Sequence, residues 1–318
     1  MRIGWRTFLK QKLRTKSAFH AVGIAVAHEV VTACLLKRES GRLVVVQEQI
    51  FNVDKWPEQL SKWVDSQNIG PASCHVAFSI DYYQLLQIDR PPVEDNELKD
   101  ALLFPIKEIS GSDGPFLFDY IDLPVPLAGS KKVNVAAIPN AHVETVIEAV
   151  INAGLCLKSI SVAEIVTCDL VETDKDPLLM LIQEAGEEIS LNVVKDGQLY
   201  VSRRLKGFEN LGSFSRQELQ MGLADSLSVQ VQRSMDYFES QLRQPPIRNI
   251  AIRLDTPHAD VLANLIGQSV NATVSGLALN VESESDGDTS RLNLVALGAA
   301  MASNNAKRQK KSKKEVVE

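Results

Sequence analysis

Leu178-Leu-Met-Leu-Ile182, Ile189-Ser-Leu-Asn-Val-Val194 and Leu199-Tyr-Val-Ser202, with an Asp196-Gly197 turn before the last, read as three consecutive strands. The same order stands near the start of the chain. His20-Ala-Val-Gly-Ile-Ala-Val-Ala27 and Val30-Val-Thr-Ala-Cys-Leu-Leu36 are followed by a Glu39-Ser-Gly41 turn and Leu43-Val-Val-Val-Gln-Glu-Gln-Ile-Phe51. The turn glycines Gly41 and Gly197 lie 156 residues apart in a chain of 318. A period that long is a duplicated lobe, since solenoid units repeat every 20–50 residues or so.

Two lobes that each open with a β-meander resemble the actin, Hsp70 and sugar-kinase architecture, in which nucleotide sits between the lobes. A Mg²⁺-nucleotide there needs carboxylates beside the first strand-turn-strand of each lobe, because Mg²⁺ takes oxygen ligands. Small residues let backbone N–H groups reach the phosphates. The first restart reads Gly23-Ile-Ala-Val-Ala-His28 and the second Leu181-Ile-Gln-Glu-Ala-Gly186. Ala25 and Gln183 stand in the acidic slots, with Ala27, Ala185 and Gly186 in the small-residue positions.

Composition narrows the function further. Hydrophobic residues make up 45% of the chain, ample for a core. No apolar run reaches the length of a membrane span, and Met1-Arg-Ile-Gly-Trp-Arg lacks a signal-peptide core, so a cytoplasmic protein is expected. Cys34, Cys74, Cys156 and Cys168 show no C-x-x-C spacing, and His28, His75 and His258 are isolated, so no metal site is predicted. The phosphate-binding G-x-x-x-x-G-K-[ST] and G-x-G-x-x-G patterns and the G-x-S-x-G elbow are absent. The formal charge of −6 is uneven: residues 1–16 carry six positive charges and no acid, and 307–318 six positives and two acids. The body between them therefore carries −16, which argues against a nucleic-acid partner. Trp5, Phe8, Leu9 and Leu13 share one side of a helical wheel among Arg6, Lys10 and Lys12, the pattern of a segment lying on an anionic membrane surface or of a solvated arm.

Between the meanders, Trp56 to Val64 reads as a helix and Ser73-Cys-His-Val-Ala-Phe-Ser79 as a strand. Strand Leu85–Ile88, helix Glu94–Leu103, strands Phe116–Ile121 and Val133–Ile138, and a helix from Asn140 to Gly154 follow, a β-α-β-β-α order that predicts an inserted subdomain. The strongest helical spacing runs from Leu223 to Leu242, stopped by Pro245-Pro246. A strand Asn249–Arg253, a helix Ala259–Gly267 and a small-residue helix Leu292–Met301 complete the second lobe.

In this order the segments resemble the PilM family of type IV pilus assembly proteins and, within it, MshI-like proteins of mannose-sensitive haemagglutinin (MSHA) pilus systems. The resemblance rests on Gln230-Val-Gln-Arg-Ser-Met-Asp-Tyr-Phe-Glu-Ser-Gln-Leu242, Ile88-Asp-Arg-Pro-Pro-Val-Glu-Asp-Asn-Glu-Leu98, Ala153-Gly-Leu155 with Ile160-Ser-Val-Ala-Glu164, and Val295-Ala-Leu-Gly-Ala-Ala300. It implies an α/β, actin-like (ribonuclease H-like) fold of two lobes, 20–170 and 171–303, with an inserted subdomain at about 73–138. A basic arm, 1–19, and a basic tail, 304–318, would flank them. It also implies a Mg-ATP cleft and a groove for the cytoplasmic tail of a PilN-like inner-membrane protein. The nucleotide residues depart from the family: Ala25, Ala27 and Thr32 replace Asp-x-Gly and a Lys, Gln183 replaces the second Asp, and Arg253-Leu-Asp255 stands where a Gly-Gly turn is usual. The resulting expectation is a non-catalytic adaptor, peripheral to the inner membrane within a pilus assembly platform, whose insertion binds the tail through Tyr82, Tyr83, Leu85, Phe104, Phe116 and Phe118. The alternative is an ATP-binding protein or weak ATPase whose nucleotide state regulates assembly.

Overall fold

The computed structural model describes residues 17–302, apart from 112, 113, 128, 172–174, 280, 285–288 and 290. The amphipathic arm with Trp5, Arg6, Phe8, Lys10 and Lys12, and the basic tail, lie outside the described residues.

The first meander folds as β1 (Ala21–Val26), β2 (Val30–Glu39) and β3 (Arg42–Asn52), antiparallel throughout. β4 (Ser73–Phe78) joins β1 in parallel and β8 (Cys156–Val162) joins β4 in parallel. In the second lobe β9 (Leu178–Ile182), β10 (Ile189–Lys195) and β11 (Gln198–Leu205) repeat the meander, and β12 (Asn249–Arg253) and β13 (Thr273–Gly276) repeat the parallel pair. The two sheets thus share one internal order, third-second-first-fourth-fifth. The turns repeat too. Ser40 and Gly41 have φ of 47° and 87°, Asp196 and Gly197 51° and 69°, the doubly left-handed turn whose twist matches a two-residue hairpin.

The insertion has its own sheet, ordered β5 (Gln84–Asp89), β7 (Lys132–Pro139), β6 (Phe116–Asp122), with helix α2 (Leu98–Ser110) on one face. This sheet begins at Gln84, not near 73. Ser73–Phe78 is buried on both faces from Cys74 on, His75 included, and it runs as an interior strand between β1 and β8. Helix α3 (Asn140–Asn152) likewise packs on the first lobe, with α1 (Trp56–Ser66), through Val143, Val146 and Val150. In the second lobe α5 (Ala224–Asp236) and α6 (Ala259–Val270) cover the sheet. The helical spacing from Leu223 is broken at its start, where Gly222 takes φ 115°. It ends in a wide turn over Tyr237–Gln241, with Arg243 at φ 53°.

The lobes join through helices α4 (Ala163–Cys168) and α7 (294–302), which share a core with Ala25, Cys34, Met180 and Ile182. Glycine makes this junction possible. A Cβ on Gly298 would lie 2.3 Å from the Val166 carbonyl oxygen, and one on Gly23 2.0 Å from that of Ala296. The small residues of 295–300 are therefore what lets α7 touch both a strand and a helix backbone.

Candidate functional site

The two restart turns are built into the junction between the lobes. Ala25 is buried in the shared core. Ala27 is half-buried, and its carbonyl accepts the Tyr82 hydroxyl at 3.2 Å. Gln183 is buried with its amide engaged by backbone: Nε2 donates to the carbonyls of Glu187 (2.9 Å) and Phe208 (2.8 Å), and Oε1 accepts Asp255 N–H (3.3 Å). Ala185 and Gly186 are exposed, Gly186 at φ 75°.

Two carboxylates from different lobes meet the start of α7. Glu184 accepts Leu294 N–H at 2.8 Å and Glu48 accepts Asn293 N–H at 2.7 Å, while Asn293 Oδ1 caps Ala296 N–H at 2.8 Å. Helix N-termini attract negative charge. Burial nonetheless dominates: it pushes the Glu184 carboxyl up to about 7, against the pull of Arg253 and the Leu294 N–H, with Glu187 and Glu48 adding to the rise. Part of Glu184 still reaches solvent, but its carboxyl end is enclosed.

A second polar cluster ties the segment that leads into the insertion to both lobes. Glu164 of α4 is 1% exposed; its Oε1 accepts Arg204 Nε at 2.9 Å and Nη2 at 2.8 Å, and its Oε2 accepts the Tyr83 hydroxyl. Ser79, just past β4, donates to Glu187 of the second-lobe turn at 3.2 Å. Burial raises the carboxyl of Glu187, offset by Arg204 and the Ser79 hydroxyl. A buried ion pair needs every partner, because each charge has given up its water.

Beside this cluster runs an apolar groove of about 350 Å³ between the insertion's sheet and β8. β8 is the terminal strand of its sheet, so its outer edge is unpaired among the described residues. Strand parity decides which side chains face it. On β6, Phe116, Phe118 and Tyr120 pack towards the cluster formed with Leu98, Leu102 and Ile106 of α2, whereas Leu117 and Ile121 alternate with them and line the groove with Ala136 and Ile138 of β7. Ile160 and Val162 form the opposite wall.

The six residues expected to receive a tail therefore divide. Tyr83, Leu85 and Phe118 border this groove. Tyr82 and Phe116 border a smaller groove of about 180 Å³, Tyr82 standing edge-on to His142 at 5.0 Å. Phe104, 75% exposed on α2, borders none of these. Ala25, Ala27, Gln183, Ala185 and Gly186 border none of them either.

No protein-family model matches the chain, and no curated protein matches it in sequence. Its structure is similar to that in a PilM-PilN type IV pilus biogenesis complex, with a TM-score of 0.66 at 16% identity, covering 90% of this chain and 98% of the other. The fold is PilM-like. It is also similar to the cytoplasmic domain of EpsL, an inner-membrane component of the type II secretion system of Vibrio cholerae, at TM-score 0.51 and 10% identity over 89% of this chain. Both likenesses speak for the fold, an actin-like pair of lobes with an inserted subdomain. No helix among the described residues is long and apolar enough to cross a membrane, and no cluster of three or more His, Cys, Asp or Glu among them could hold a metal ion.

Sequence reasoning missed Glu164, Arg204, Leu117, Ile121 and Ile160. One signal was available: Phe116-Leu-Phe-Asp-Tyr-Ile121 is apolar on both faces, and only one face of a three-stranded sheet can rest on its helix.

Proposed function

We propose that this chain is a cytoplasmic, non-catalytic scaffold of a type IV pilus inner-membrane assembly platform. Its groove beside the insertion binds the cytoplasmic tail of a PilN-like membrane protein. The observation that carries the reading is the open apolar groove of about 350 Å³ beside the edge of β8, in a fold like that of PilM in its complex with PilN. An edge strand offers backbone hydrogen bonds and an apolar groove offers anchor sites, the two requirements of short-tail recognition.

The opposite side of the junction supports the non-catalytic half. The residues at the restart turns do not fit a Mg²⁺-nucleotide: Ala25 and Ala27 have no donor atoms, and the amide of Gln183 is spent on backbone. Three carboxylates at the junction, Glu184, Glu48 and Glu187, already accept the N–H groups of Leu294 and Asn293 and the Ser79 hydroxyl. A neutral amide also cannot balance Mg²⁺ charge. Within the same reading, the MSHA-type assignment rests on the sequence resemblance, and the basic ends, Trp5 and Phe8 included, hold the body against anionic lipid at roughly 1 kcal/mol per cationic residue.

Two measurements on the full chain test it. Calorimetry with Mg-ATP is expected to show no tight binding; sub-micromolar, Mg-dependent affinity would favour the regulated ATP-binder instead. Pull-down with a synthetic tail of the PilN-like protein from the same organism is expected to retain this chain, and failure of the tail to bind removes the adaptor assignment.

A further inference from the structure

The apolar groove continues past the insertion. Leu85 and Asn134 border it and also border a second groove of about 430 Å³, walled by β5, by β11 from Tyr200 to Arg203, and by Arg233 and Tyr237. β5 and β11 each end their sheet, so the second groove separates two strand edges whose outer backbone groups lack sheet partners among the described residues.

Its charge is opposite in sign to the net charge of the body. Arg203 donates to Ser234 Oγ at 3.0 Å and Gln230 Oε1 at 3.5 Å, both neutral groups. Among the described residues, no carboxylate lies within the 4.0 Å ion-pair distance of Arg203 or Arg233. Arg204, the next residue of β11, faces the other way and is held by Glu164. Two exposed guanidinium groups without acids, on a body of charge −16, form a local site for negative charge. The flat donor edge of arginine suits a carboxylate, and the net acidic body repels extended polyanions such as nucleic acid or an anionic membrane. One carboxylate next to apolar anchors meets neither obstacle.

We propose that the two grooves form one track for an extended partner segment, apolar side chains entering the first and an Asp or Glu of the same segment bonding Arg203 and Arg233 in the second. This deepens the tail-docking reading and rests on it. It adds that the segment is acidic as well as apolar, and that the second lobe takes part in holding it.

Fluorescence anisotropy with the PilN-like tail peptide, on the full chain, tests the track. The double variant Arg203→Gln/Arg233→Gln is expected to bind about tenfold more weakly at low salt and to lose the salt dependence of the wild type. Leu117→Ala is expected to weaken binding at every salt concentration. Both arginines are exposed, so the double variant leaves no buried charge behind, and an unchanged melting temperature certifies its fold. Tail binding that responds to Leu117→Ala but not to the arginine variant overturns the inference and leaves the docking reading standing. If the wild type binds no tail, the docking reading falls, and selection of phage-displayed random peptides on the full chain decides the inference. Acid-bearing apolar peptides that are lost on the double variant support it; peptides without acidic bias, or retained equally by the variant, overturn it.

Discussion

The two sides of the lobe junction differ in how far the chain satisfies itself, although at the restart turns Arg253 Nη1 is buried without a hydrogen-bond partner among the described residues. At the restart turns, Gln183, Glu184 and Glu48 are each bonded to backbone of another segment, and the lobes are tied by Ser79 to Glu187. On the insertion side, Leu117 is 47% exposed and Ile121 39%, over a groove with an unpaired strand edge. Buried polar groups without partners are costly, and at the restart turns most of them are met by the chain's own hydrogen bonds. Apolar surface left open on a protein with ample core instead marks a place where something else completes the burial. One side is closed by chemistry and the other kept open.

Breaking the closed side should cost most. Arg204→Ala leaves Glu164 as a buried charge without its partner, and is expected to lower unfolding stability by about 3–5 kcal/mol. A loss below about 1 kcal/mol by urea titration would show that the cluster does not hold the segment leading into the insertion to the lobes.

The pH response comes next. The Glu184 carboxyl is raised to about 7 in the folded chain, among Arg253, Glu187 and Glu48, whereas an unfolded glutamate titrates near 4.3 or so. Between those values the folded state holds the extra proton, so this group's contribution is fully present below the unfolded value. It is lost as pH rises towards 7, then stays level. Glu184→Gln removes this dependence while keeping an acceptor for Leu294 N–H. Relative to wild type, the variant should gain about 2 kcal/mol between roughly pH 5 and pH 8. Parallel stability curves for the two proteins would contradict the assignment.

The open side is sharpened by substitutions that separate binding from stability. Leu117→Ala is expected to weaken tail binding by about 2 kcal/mol with little change in melting temperature. Phe104→Ala, outside the grooves, should change neither. Phe116→Ala should lower stability, because its ring packs with the α2 cluster. A small loss of stability is expected at the hairpins that define both lobes: Gly197→Ala, at φ 69°, should cost about 1 kcal/mol in thermal unfolding.

The duplicated meander was legible because a two-residue turn and runs of alternating or continuous apolar residues are local signals, and Gly41 and Gly197 mark them plainly. The small-residue helix at 295–300 was legible for the same reason, although its partners, Val166 and Gly23, were not. The insertion was expected from about 73, whereas its sheet begins at Gln84, since the short strand Ser73–Phe78 carries no local mark of which sheet it joins. Of the six residues expected to receive a tail, Phe116 and Phe118 were chosen by size; the register of β6 against β7 packs both on the α2 cluster, while Phe118 also borders the groove that Leu117 and Ile121 line.

By itself the sequence determined the two-lobed repeat, the position of the inserted subdomain in chain order, and the missing carboxylates at Ala25 and Gln183, because each depends on residue type and local spacing. Only the tertiary structure decided what Gln183 and Glu184 bond instead, that Glu164, Arg204 and Tyr83 meet, and that Leu85 borders two grooves at once. The Glu184–Leu294 bond alone joins residues 110 apart. Side chains that distant are brought together by sheet order and by the glycines at which α7 crosses the junction, which no local pattern encodes.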